Sequence, residues 1–106
     1  MNDRIAKLEK LLAVEPNDAF VLYSLAQEHG KSASSESVET ALRFYDRCIA
    51  SDENYCYAYY HKAKLLADVD RAPEAVAVLK AGLKVARSVK DGKAANELSA
   101  LLDQLS

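Results

Sequence analysis

The sequence predicts an all-α fold, an α-solenoid of antiparallel helix pairs. Three observations predict it. The 106 residues contain only three glycines and two prolines, too few turn formers for a chain of short strands. Apolar residues recur at three- and four-residue intervals along most of the length. The same apolar and small residues also return at fixed offsets of 34 and 37 residues, so one helix pair recurs.

Six helices follow in order. The first, about 3–14, carries Ile5, Leu8, Leu11 and Leu12 on one side. Glu15-Pro16-Asn17-Asp18 stops it and opens the next, since proline ends a helix and Asn or Asp caps one. The second, about 18–30, places Leu22, Leu25, Ala26 and His29 on one face and stops at Gly30. Residues 31–37, KSASSES, read as a solvated polar loop. The third, about 37–51, aligns Val38, Ala41, Leu42, Tyr45, Cys48 and Ile49. Asp52-Glu53-Asn54 breaks it, with Asn54 expected to cap the fourth helix, about 55–69. Pro73 suits the first turn of a fifth helix, about 73–89, through Val76, Leu79, Leu83 and Ala86. Asp91-Gly92 turns the chain into a last helix, about 93–105, with Leu98, Leu101, Leu102 and Leu105.

Composition bounds the function. Half of the residues are hydrophobic, enough for one small domain spanning 1–106. Residues 1–55 carry six Lys/Arg against ten Asp/Glu, a net of −4; residues 56–106 carry eight against six, a net of +2. No basic stripe marks a nucleic-acid surface. No apolar run approaches the ~20 residues of a membrane span, and MNDRIAKLEK has no apolar signal core. A cytoplasmic location is expected. Cys48 and Cys56 match no common zinc spacing and read as two free, partly buried thiols.

The offsets define the repeat. Ala41 to Ala75, Leu42 to Val76, Tyr45 to Leu79 and Cys48 to Gly82 are each 34 residues. Leu8 to Tyr45, Leu11 to Cys48, Leu22 to Tyr59, Ala26 to Ala63 and His29 to Leu66 are each 37. The KSASSES segment absorbs the three-residue difference. The best-formed unit reads Tyr59, Ala63, Leu66, then Ala75, Leu79, Gly82. The unit before it reads Leu22, Ala26, His29, then Ala41, Tyr45, Cys48, and Leu8, Leu11 and Pro16 form half a unit before that. Small residues at Ala26, Ala41, Ala63 and Ala75 let antiparallel helices cross closely.

In these residues the chain resembles the tetratricopeptide repeat (TPR) family, over about residues 4–89. Lys62, Glu53, Arg87 and His29 depart from the family's usual residues. The resemblance implies about two TPR units, an N-terminal half unit and a C-terminal capping helix. It also implies a superhelix whose concave side is lined by the first helix of each unit, where peptides dock. The candidates facing away from the Ala26 and Ala63 crossings are Phe20, Tyr23 and Gln27 on the second helix. On the fourth they are Tyr57, Tyr60 and Lys64, with His61 at the edge. Ala94 and Leu98 join them if the last helix continues the stack. The family's carboxylate clamp uses Lys and Asn at places that here hold Tyr23, Gln27 and His61, so an apolar, proline-rich or helical segment suits this lining better.

Catalytic patterns are lacking: no Gly-rich phosphate loop, HExxH or nucleophile elbow occurs. Cys56 and His61 would lie ~140° apart around one helix and would not meet. His29 on an apolar face reads as a packing residue. The expectation is a non-enzymatic module that uses no cofactor and no metal and binds a protein or peptide partner through an aromatic groove. The alternative is a structural domain that assembles into a homo-oligomer.

Overall fold

The structure is a computed structural model that describes residues 3–106. The helices are α1 (Asp3–Val14), α2 (Ala19–His29), α3 (Ser35–Ser51), α4 (Cys56–Asp68), α5 (Ala72–Ser88) and α6 (Gly92–Leu105). The described residues form no strand. No helix among them is long and apolar enough to cross a membrane. The chain divides into two compact units, 1–52 and 53–106.

In the first unit α2 packs on α1 and on α3. Asp18 caps α2 by accepting the Val21 N–H at 3.1 Å. Helix α3 begins two residues earlier than expected, because Ser34 is extended and its hydroxyl accepts the Ser37 N–H at 3.2 Å. Such a cap is worth about 1 kcal/mol, so the end of the serine run is helix rather than loop. Ala26 and Ala41 are both fully buried, as the close crossing of α2 and α3 requires. Leu22, Leu25, Tyr45 and Cys48 complete this core.

In the second unit α4 packs on α5, and α6 lies against both. Tyr55, not Asn54, occupies the N-cap of α4, and it supplies no side-chain cap bond. The Tyr59 hydroxyl donates instead to the Glu53 carbonyl at 3.0 Å, which ties the helix start to the preceding turn. Helices α4 and α5 end alike. Asp70 and Lys90 take left-handed backbone, at φ 66° and 60°. The N–H one residue further on reaches back to the last turn in each case, Arg71 to Leu66 at 2.8 Å and Asp91 to Ala86 at 2.9 Å.

The tightest approach in this unit is at Gly82. A Cβ there would stand 2.7 Å from the Tyr59 Cβ and 3.1 Å from Leu98 Cδ2. Three helices, α4, α5 and α6, converge on one missing side chain. Gly82→Ala isolates that effect. Helix propensity alone favours alanine by about 1 kcal/mol. The overlap with a Cβ fixed on another backbone forces the helices apart, at about 1–3 kcal/mol. The overlap wins, and a net destabilisation of about 1–2 kcal/mol is expected in chemical denaturation. A variant at least as stable as the wild type would contradict this packing.

Candidate functional site

The expected binding residues fall into two groups, one in each unit. On α4, residues 57, 60, 61 and 64 stand one helical turn apart and share a face. The opposite face carries Tyr59, Ala63 and Leu66 into the core, all buried. Tyr57, Tyr60 and His61 are half-buried and Lys64 is exposed. Their rings meet one another. The Tyr57 and Tyr60 centroids are 6.4 Å apart, edge to face at 72°. Tyr60 and His61 are 5.1 Å apart at 89°, and Tyr57 and His61 6.5 Å apart at 39°.

Helix α6 brings a carboxylate to this cluster. The Tyr57 hydroxyl donates to Glu97. Desolvation first, then this hydrogen bond, hold the Tyr57 phenol above its ordinary pKa. His61 is pushed the other way. Its burial and the neighbouring Lys64 ammonium disfavour the imidazolium, and Glu97 only partly opposes them. Glu97 was not among the sequence candidates. Ala94 and Leu98, expected to line the surface, are instead fully buried, and Leu98 closes on Gly82. Glu97 lies between them on the flank that they leave open, a rotation of α6 that periodicity alone does not fix.

On α2, Phe20 is the open residue, 63% exposed. Tyr23 and Gln27 are half-buried, and the Tyr23 ring leans edge-on against the buried Tyr45 at 6.2 Å. Burial first, then Tyr23, raise the pKa of the Tyr45 phenol. His29 stacks on Phe44 at 5.6 Å with the rings 20° apart. The Arg47 guanidinium lies over the same Phe44 ring at 5.6 Å. His29 is thus a packing residue, held by an aromatic partner that the sequence did not single out. Arg47 also donates to the Pro16 carbonyl at 3.2 Å, and Ser51 to the Asn17 carbonyl. These bonds fix the α1–α2 turn beside an open, polar cleft of about 370 Å³.

The thiols are placed as expected: Cys48 and Cys56 are both free and buried. Burial, then Asp52, push the Cys48 thiol up to about 11, so it stays protonated and is a poor nucleophile. Cys56 donates weakly to the Asn54 carbonyl at 3.5 Å. Among the described residues no three His, Cys, Asp or Glu side chains gather closely enough to hold a metal ion.

A family profile described as Anaphase-promoting complex subunit 5 matches residues 21–105. No curated protein matches the chain. Among solved structures, the solution NMR structure of a tetratricopeptide repeat domain protein from Salinibacter ruber is 32% identical, with a TM-score of 0.76. The match covers 87% of this chain and 90% of that one. The crystal structure of a tetratricopeptide repeat domain protein from the same organism is also 32% identical, with a TM-score of 0.71 and coverages of 83% and 94%.

The His61 environment gives a pH dependence with a definite sign. Its folded pKa lies below the ordinary 6.5, so below pH 6.5 the unfolded chain binds this proton more readily than the folded one. The His61 contribution to stability is present above pH 6.5 and is lost on acidification through the lowered folded pKa. NMR titration is expected to place the His61 imidazole below 6.5. His61→Gln is expected to flatten the acid side of the stability profile. A His61 pKa at or above 6.5 would contradict the cluster geometry.

Proposed function

Because this chain belongs to the tetratricopeptide repeat family, and within such repeats to the family of Anaphase-promoting complex subunit 5, we propose that it is a non-enzymatic interaction module whose aromatic faces hold a peptide or partner segment. The observation that carries this reading is the division of labour on α4. Tyr59 is committed to the core, while Tyr57, Tyr60 and His61 form a ring cluster on the other face, with the exposed Lys64 beside it. Half-buried aromatic side chains supply large contact area with little loss of side-chain freedom, the usual chemistry of a binding hot spot. Phe20, Tyr23 and Gln27 extend the reading to α2, where Phe20 offers the most open ring. Lys64 is the only cation on the α4 face, too few for a carboxylate clamp. An apolar, proline-rich or helical segment is the ligand class that suits stacked rings with a polar edge. A cytoplasmic location, and no nucleic-acid partner, belong to the same reading.

A peptide selected by display against the wild-type chain provides the test, with affinity read by calorimetry. Tyr60→Ala is expected to weaken binding by roughly 10–100-fold, the loss of one aromatic anchor. Lys80→Ala, at an exposed position of α5, is expected to leave affinity unchanged. Circular dichroism confirms that both variants fold. Affinity insensitive to Tyr60→Ala, or lost equally with Lys80→Ala, overturns the proposal.

A further inference from the structure

Histidine is the side chain whose charge ordinarily changes between about pH 5 and 8. The chain has two, and His61 is the one on the α4 face. His29 stacks on Phe44 in the first unit. The His61 imidazole stands edge-on to Tyr60 at 5.1 Å and lies 6.5 Å from Tyr57, so it is part of the ring cluster itself. Few charges surround it. On α4, Lys64 stands one turn further on and disfavours the imidazolium. On α6, Glu97 favours it, while also accepting the Tyr57 hydroxyl, and the exposed Lys93 stands one turn before Glu97. Helix α5 meets the opposite face of α4, where Gly82 approaches Tyr59. Its Glu74 is held by Arg71, with Lys62 acting on it as well.

The imidazole is already half-buried in the free chain. A segment laid across the Tyr57 and Tyr60 rings covers more of it. A neutral imidazole tolerates such cover. An imidazolium carries a full charge and two N–H donors, and an uncharged segment strips its water without replacing it. Excluding water also strengthens the repulsion from Lys64. We propose, resting on the α4 face as the binding surface, that His61 is a proton-operated release: the neutral ring face holds an uncharged apolar or proline-rich segment, and protonation of His61 lets it go. Affinity is then at its full value above pH 6.5 and is lost as the pH falls through the lowered value His61 has in the free chain. Linkage is reciprocal, so the bound segment makes His61 harder still to protonate.

The probe is a peptide selected by display from a library without Asp, Glu or His and synthesised with blocked ends. Calorimetry is expected to show its Kd rising roughly 3–10-fold between about pH 7.5 and pH 5, with circular dichroism confirming the fold at both. NMR titration is expected to place the His61 pKa lower in the complex than in the free chain. Two variants move the pH of release in opposite directions. Lys64→Gln removes a repelling cation and shifts it up, and Glu97→Gln removes the opposing carboxylate and shifts it down. His61→Gln is expected to flatten the profile, whatever its affinity at pH 7.5. A Kd that is independent of pH, or that falls on acidification, overturns the proposal. So does a pH profile that His61→Gln leaves unchanged. The effect of Tyr60→Ala at pH 7.5 is a separate readout. A peptide that needs Tyr60 but ignores pH removes the release and leaves the interaction-module reading standing, whereas one that ignores Tyr60 removes that reading itself.

Discussion

The second unit depends on how closely α5 can approach α4 and α6. Gly82 sets that distance. With no side chain there, the α4 backbone at Tyr59 and the tip of Leu98 come to within ordinary packing of the α5 backbone. Ala63 and Ala75, both fully buried, keep α4 and α5 close at the other end of the pair. Close packing of this kind is sensitive to a single added methyl group, because a protein interior has few voids to absorb one. The first unit uses the same device with Ala26, Ala41 and Cys48, so one rule of small residues at crossings accounts for both cores.

The approach at Gly82 has a consequence on the opposite side of α4. Once Tyr59 and Leu98 are seated, α6 is rotated so that Glu97 faces the Tyr57 hydroxyl. The Tyr57 ring in turn contacts Tyr60 and His61. The ring contacts restrict the freedom of these side chains. His61 kept in its neutral form preserves the apolar character of the patch near pH 7.

Much of this was legible in the sequence, and the reasons differ by element. The 34- and 37-residue offsets located the helices because the residues that repeat are those that must be small or large at a crossing. Tyr59 was assignable to the core, and Tyr57 and Tyr60 to the other face, from the match to Leu22 and Ala26 alone. The start of α3 was not, because the serine run 32, 34, 35 and 37 offers several equivalent caps and only the extended backbone at Ser34 selects one. Asn54 looked like a cap by residue type but lies outside the helix, whose start is held by the Tyr59–Glu53 bond between more distant residues. The rotation of α6 was also hidden. Leu98 and Ala94 fit either a lining or a core role by periodicity, and the space at Gly82 decides for the core. Phe44 escaped notice because its role, a ring between His29 and Arg47, is a tertiary contact between residues that no spacing rule links.

The proposed binding surface is the ring face of α4. Intermolecular nuclear Overhauser effects between a display-selected peptide and the ring protons of the wild-type chain test it most directly. Contacts are expected from the bound peptide to the Tyr57 and Tyr60 rings and to the His61 imidazole. A bound peptide whose contacts fall instead on the exposed side of α5, around Lys80 and Lys84, with none to those rings, would contradict it.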